Sequence, residues 1–200
     1  LTGDLISLFV YWEIMAVAST MVVISVGAAN SNRTAMRYFL VHMFGGALLM
    51  TGIVIHIVDT GSTAFAAMEP TSIGTMLILA GFLINAAAPP LSAWLADAYP
   101  EASYSGTVFL SAFTTKAAVY VLIRGFPGAE ILIYVGVFMI FYGIIYALLE
   151  NDMRRILAYS IVNQVGFMVT AVGIGTEMAL NGAAAHAFTH IIYKALLLMS

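Results

Sequence analysis

Seven long apolar segments dominate the sequence, and they restrict the fold more than any other feature does. Each is long enough to supply the ~20 residues that a helix needs to cross a bilayer. Inside lipid every backbone N–H and C=O group needs a partner within the chain, and for single segments of this length that condition selects α-helices. Only 8% of the 200 residues are charged, whereas soluble domains carry roughly 25%. The sequence therefore predicts an all-α integral membrane protein, a polytopic helix bundle.

The segments follow one another without a linker or a shift in composition, so we expect residues 1–200 to form one membrane domain. The sequence starts at Leu1 and stops at Ser200 within an apolar run, and we expect it to be a fragment of a longer subunit. Polar turns are predicted at Ala29–Thr34 and at Ala98–Gly106. The approximate helix bounds are Asp4–Gly27, Ala35–Val58, Ile73 to the second turn, that turn to Arg124, Glu130–Leu149, Ile156–Ile174 and Met178 onward.

Charge and residue content exclude several kinds of function. A net charge of −3 does not favour nucleic acid or another polyanionic partner. Without cysteine the chain has no disulfide, no thiolate chemistry and no cysteine-ligated cluster. The four histidines leave a haem site formally open, but we expect no cofactor and no catalytic chemistry of the chain's own.

The third segment is broken, and the fourth carries a lysine. Pro89-Pro90 interrupts the third helix, because proline lacks an N–H donor and frees carbonyl groups that lipid cannot satisfy. Lys116 follows near the middle of the fourth helix, where a lysine costs about 2.5–3.5 kcal/mol on insertion scales. A broken helix beside a buried ionisable residue is typical of ion sites in transporters.

Glu13 and Lys194 are two further charged residues inside apolar segments. Glu13 lies near the middle of the first helix, and Lys194 lies in the last one. Ionisable residues within the membrane mark functional sites more often than structural ones. The alternatives are that Glu13 hydrogen-bonds a neighbouring helix and that Lys194 extends to the membrane surface, for which Lys116 lies too deep.

His186, His190 and Lys194 recur every four residues, which stacks them on one face of the last helix. Neutral imidazole both donates and accepts a hydrogen bond, so this row is suited to relaying protons. A metal or haem site is one alternative, disfavoured because no carboxylate lies beside the histidines, and plain packing is another. His42 and His56 lack such neighbours in the sequence and are expected to be structural.

The arginines predict an orientation. If every segment spans the membrane, Arg33, Arg154 and Arg155 share one side, with Arg37 just inside the helix there. Arg124 lies on the other side. The positive-inside rule then places the first side in the cytoplasm.

Several motifs together resemble the antiporter-like membrane subunits shared by respiratory complex I, membrane-bound hydrogenases and Mrp-type multisubunit sodium/proton antiporters. They occur in the family's order and cover nearly the whole sequence. TTKAAVYVLIR is more similar to Mrp D-type and complex I M-type subunits than to the longer L-type or A-type ones. The motifs are LFVYWE, PPLSAWLADAYPEA, TTKAAVYVLIR, ENDMRRILAYSIVNQVGFM and HAFTHIIYKALL.

This resemblance implies two five-helix inverted repeats, of which the sequence holds most of the first and the opening of the second. It also implies that protons move along charged and hydrated residues at the membrane midplane. Glu13 matches an acid that tunes a lysine, Lys116 matches the connecting lysine, and His186, His190 and Lys194 match the central relay. The implied partners are other membrane subunits of a hetero-oligomeric antiporter or respiratory complex, protons, Na⁺ and the lipid bilayer of the cell (inner) membrane.

Asn85 departs from the family pattern. It stands where the broken helix of the family carries a lysine, which is the expected partner of the acid at Glu13. Asparagine can hydrogen-bond water but cannot take up or release a proton. Whether the first half of the proton path works as it does in the family is therefore in question. Three functions stay open: a proton-conducting antiporter subunit, a membrane-arm subunit of an NADH dehydrogenase or hydrogenase complex, and a scaffold without transport. The costly buried charges argue against the scaffold.

Overall fold

The computed structural model describes residues 2–27 and 29–199, and its regular elements there are eight α-helices. This confirms the all-α fold that the sequence predicts. The bounds are α1 Leu5–Ile24, α2 Ala29–Thr60, α3 Ile73–Asn85, α4 Ala93–Glu101, α5 Tyr104–Gly125, α6 Ile131–Leu149, α7 Met153–Ile174 and α8 Glu177–Met199.

Five of these helices, α1, α2, α5, α6 and α7, are long and apolar enough to cross a membrane. α3 is apolar but has 13 residues, and α4 has nine. At about 1.5 Å per residue, neither of these two helices is long enough to cross a bilayer. α3 and α4 together therefore make one crossing. α8 has 23 residues, among them two histidines and Lys194. α5 and α7 are the most buried of the five and lie in the bundle interior.

One end of the bundle, here called the Arg124 end, gathers the N-terminus, the link after α2 and the turn between α5 and α6. The backbone N–H of Leu5 donates to Thr63 at 2.8 Å, and the guanidinium of Arg124 donates to the carbonyl of Thr2 at 2.7 Å. Gly128 donates to Val172 near the end of α7 at 2.9 Å. These contacts place the starts of α1 and α6 beside the ends of α2, α5 and α7.

The opposite end, called the Arg154 end, gathers the start of α2, the end of α4 and the start of α7. Arg37 pairs with Asp97 at 3.1 Å, and Arg155 lies 4.0 Å from the same carboxylate. Arg154 donates to the backbone carbonyl of Ala102 at 2.8 Å. Successive crossings therefore alternate in direction, and the four arginines expected to share a side (Arg33, Arg37, Arg154 and Arg155) belong to this end.

Two predicted turns are wrong. α2 begins at Ala29, so the stretch Ala29–Thr34 is helical, because a polar first turn at a membrane surface can hydrogen-bond water. α4 continues to Glu101 through Pro100, so the predicted turn at Ala98–Gly106 shrinks to residues 102 and 103. Arg154 explains this second difference, since its guanidinium acts as a cap and donates to carbonyl groups at the end of α4.

Candidate functional site

The helix break lies inside the bundle, and a tryptophan side chain forms a hydrogen bond across it. α3 ends at Asn85, and Ala87 then takes a left-handed backbone conformation with φ of 59°. Such a φ is uncommon for a residue with a Cβ and marks a locally constrained segment. The indole N–H of Trp94 in α4 donates to the carbonyl of Ile84 at 3.1 Å, which satisfies one acceptor at the end of α3.

Both lysines are buried close to one another. Lys116 on α5 is 7% exposed and donates to the hydroxyl of Thr115 at 3.3 Å. Lys194 on α8 is 1% exposed and donates to the hydroxyl of Ser160 on α7 at 2.7 Å. The two ammonium groups are near enough to interact electrostatically. Lys194 therefore does not extend to the surface of the described chain, and neither lysine forms an ion pair within residues 2–27 and 29–199.

The histidine row of α8 lies beside these lysines. His190 is fully buried and near enough to Lys116, Lys194 and His186 to interact with each electrostatically. Its ring centroid is 6.2 Å from that of His186, whose Nε2 lies 2.9 Å from the side-chain oxygen of Gln164 on α7. In the described part of the chain, no three His, Asp or Glu side chains come close enough together to hold a metal ion.

Glu13 lies beside α2 at the level of the helix break. A methyl group in place of the Gly46 hydrogen would collide with the Glu13 carboxylate, so this glycine provides the space that the carboxylate occupies. Trp12 packs against Phe82 of α3 with ring centroids 5.3 Å apart, which brings α1 and α3 together one turn before Asn85. Glu13 forms no ion pair with any of the described residues.

Asn85 is 1% exposed, and its side-chain nitrogen is one of a group of buried polar atoms without a protein partner. Buried polar atoms are normally hydrogen-bonded, and in a protein interior ordered water supplies the partner when side chains do not. The group has members on α1, α2, α5 and α8 and at the helix break. Within the described residues it comprises atoms of Glu13, His42, Asn85, Ser92, Ser111 and His190.

The structure thus brings Lys116, His186, His190 and Lys194 together, and it places Glu13 and Asn85 at the break on the other side of α5. Sequence analysis did not single out the contact of Gly46 with Glu13 or the Nε2 atom of His42, which has no partner among the described residues. The position of Gly46 shows no signal in a single sequence. His42 carries one, because a histidine within an apolar helix is an intramembrane ionisable residue, as Glu13 is.

Comparison with known proteins gives consistent results along the whole chain. The family described as NADH:quinone oxidoreductase/Mrp antiporter, TM, matches residues 2–200. The chain is 31% identical to the D-type subunit of the Na⁺/H⁺ antiporter of Alkalihalophilus pseudofirmus, over 100% of the chain and 44% of that protein. It is 31% identical to the N-type subunit of the NADH-quinone oxidoreductase of Desulforudis audaxviator, over 96% of the chain and 42% of that protein.

The fold has a close match among solved structures. A chain of the Mrp complex from Dietzia sp. DQ12-45-1b superimposes with a TM-score of 0.90 at 26% sequence identity. That match covers 99% of the present chain and 41% of the other one. The chain therefore spans less than half the length of each of these three relatives.

Proposed function

The chain belongs to the NADH:quinone oxidoreductase/Mrp antiporter transmembrane family, and from this premise we propose that it is the proton-conducting subunit of a multisubunit Na⁺/proton antiporter. Residues 1–200 would form one proton-translocating domain of a longer subunit in the cell (inner) membrane. The Arg154 end would face the cytoplasm, since it holds four of the five arginines. Other membrane subunits of the same complex are its proposed partners.

The observation that carries this proposal is the buried group formed by Lys116, His190 and Lys194. Burying two ammonium groups near each other is costly, because their repulsion is strong where water is scarce. A structural role does not require that cost. A proton-transfer role does, since a lysine that shares its surroundings with another cation can release its proton to a neighbour. His190 would receive such a proton through water, since its ring nitrogens have no hydrogen-bond partner among the described residues.

Two other functions have specific support. The 31% identity to an NADH-quinone oxidoreductase subunit equals that to the antiporter subunit, which favours a place in a respiratory or hydrogenase membrane arm as the second candidate. Asn85 supports the third candidate, a scaffold without transport, because it removes a titratable group from the break. The buried lysines count against the scaffold.

Ion flux in everted membrane vesicles tests these functions. The vesicles hold the full-length subunit in its native complex, and ATP hydrolysis sets up an inward proton gradient that a pH-sensitive dye reports. For the proposed antiporter, NaCl should collapse the gradient and choline chloride should not. A membrane-arm subunit should instead support NADH-driven or hydrogenase-driven acidification and show no response to Na⁺. Absence of both activities would support the scaffold.

The space at Gly46 gives a sharper prediction about Glu13. Gly46→Ala should displace the Glu13 carboxylate while leaving helix packing intact, because the group it strikes is the far end of a flexible side chain. We expect proton flux to fall by up to about 100-fold, the loss that a misplaced reacting group can cause. Gly45→Ala is the matched control, since its methyl group would meet Ile84 of α3 at 3.1 Å and not Glu13.

The shorter acid should partly reverse this loss. In Gly46→Ala with Glu13→Asp, the carboxylate retreats by one methylene group, and flux should recover part of the way. Equal losses in the Gly45 and Gly46 variants, or normal flux in Gly46→Ala, would show that the position of the carboxylate is unimportant.

A further inference from the structure

His42 is a buried ionisable residue that the proposed relay leaves unused. It lies on α2 and is 2% exposed. Its ring stacks on Tyr38 with centroids 4.0 Å apart and meets Trp94 of α4 edge-on at 4.5 Å. Two aromatic side chains from different helices therefore fix the plane of the imidazole.

The hydrogen bonding of His42 determines which of its nitrogen atoms is free. Nδ1 lies 2.9 Å from the backbone carbonyl oxygen of Tyr38, and a carbonyl oxygen can only accept, so Nδ1 carries a hydrogen. In the neutral ring Nε2 is then a bare acceptor. Nε2 is buried and meets no donor among the residues that the structure describes. A buried acceptor without a donor is unfavourable, so an ordered water is expected to donate to Nε2.

His42 stands between the Arg154 end and the helix break. At that end a recess of about 250 Å³ is lined by Arg37 and Asp97, among others. Arg37 precedes Tyr38 on α2, and Asp97 lies one helical turn beyond Trp94 on α4, so the recess lies on the Arg154-end side of the two rings that hold His42. On the inner side the Trp94 indole reaches Ile84 at the break.

The inner side also carries two further atoms that need water. The hydroxyl of Ser92 and the side-chain nitrogen of Asn85 are buried without a partner in the described chain. They flank the segment that joins α3 to α4. Polar atoms without a partner in the described chain thus occur at His42 and at the break, inward of the charged recess.

We propose that His42 is a proton-transfer residue that connects the recess at the Arg154 end with the polar atoms of the helix break. Protonated water on the recess side gives its proton to Nε2, and the imidazolium keeps its Nδ1–H bond to Tyr38. Because the ring is fixed, Nε2 returns the proton to the water position that delivered it, once that water is hydrogen-bonded to the polar atoms of the break. The ring returns to its neutral form, and one proton has moved. This step rests on the proposed function, since it supplies the protons that Glu13 and Lys116 would carry.

Two substitutions separate proton transfer from packing and from hydrogen bonding. His42→Phe keeps a ring between Tyr38 and Trp94 but cannot be protonated, and His42→Gln keeps polar atoms but does not titrate. We expect both to lower proton flux in everted vesicles at least tenfold with normal assembly of the full complex. His56→Phe is the control, because it changes a partly buried histidine of the same helix near the Arg124 end. Normal flux in His42→Phe would show a packing role, and normal flux in His42→Gln would show that a hydrogen bond suffices.

Cysteine labelling tests the route even if these variants assemble poorly. His42→Cys is made in a cysteine-free version of the full subunit, and a small cationic methanethiosulfonate is applied from one side with a thiol scavenger on the other. It should react from the Arg154 end only, whereas Leu49→Cys, fully buried on the same helix, should react from neither side. Reaction of both cysteines, or of neither, would overturn the route.

Lys116→Ala separates failure of this route from failure of the proposed function. If the His42 variants and Lys116→Ala all have normal flux, the proposed function fails as well. If Lys116→Ala alone lowers flux, only the role of His42 is refuted.

Discussion

Replacing Lys116 by alanine is expected to lower proton flux by roughly 100-fold or more, the range over which a positioned proton-transfer group acts. Lys116→Arg should do nearly as badly. Arginine keeps the positive charge beside Lys194, but it does not release its proton in proteins. The alanine variant should assemble, because it removes the cost of burying an ammonium group and loses one side-chain hydrogen bond within the described residues, to Thr115. Assembly of the arginine variant is checked by the amount of complex recovered.

Thr115→Ala is the matched control for this prediction. It removes the hydroxyl that Lys116 donates to and leaves the lysine in place, so flux should change by a few-fold at most. Flux is measured in everted vesicles and normalised to the amount of assembled complex. Full activity of Lys116→Arg would mean that a fixed charge is sufficient, and the relay role would then be untenable.

Glu13 and Asn85 give the second large effect. The Glu13 carboxylate lies against Gly46 and pairs with no described cation, and Asn85 carries an unpartnered nitrogen at the same level. We expect Glu13→Gln alone to abolish proton flux, with Glu13 exchanging protons with Lys116 through water. Asn85→Lys should then impair flux, because it adds a second positive charge near Lys116. Asn85→Met has a similar length without the charge and should impair flux much less.

The opposite pattern would show that Glu13 has no role in proton transfer when position 85 lacks the lysine of the family. In that case Glu13→Gln is silent by itself, and Asn85→Lys makes flux depend on Glu13. The two single variants and the double variant, assayed together, distinguish these outcomes. A silent Glu13→Gln is the result that contradicts our expectation.

Much of the fold follows from local sequence, and much of the site does not. Pro89-Pro90 predicts the break because proline acts on its own helix, and the length of the apolar runs predicts the crossings. The sequence places the end of α4 wrongly because Arg154, which caps it, comes from another helix. Local pattern reasoning cannot see such a partner.

The same distinction holds for the buried charged residues. The spacing of His186, His190 and Lys194 puts them on one face, so their alignment is predictable. Their meeting with Lys116 depends on how α5 packs against α8. In the sequence His42 lacks the ionisable neighbours that His186 and His190 have, so it is expected to be structural. Its ring contacts in the structure come from Tyr38 on the same helix and from Trp94 on α4. Its unpartnered nitrogen becomes visible only once the two helices are placed side by side.

The guanidinium of Arg154 has a mechanical consequence. It holds the C-terminal end of α4 through the carbonyls of Pro100 and Ala102 and reaches the hydroxyl of Thr107 on α5. The link between α4 and α3, by contrast, is a non-helical segment. A displacement of α7 would therefore pull on the end of α4 and on α5, and the non-helical residues 86–92 are where the chain between α3 and α4 can bend. The Trp94–Ile84 hydrogen bond joins α4 to the end of α3 across these residues. It would therefore break and re-form as α4 moves relative to α3.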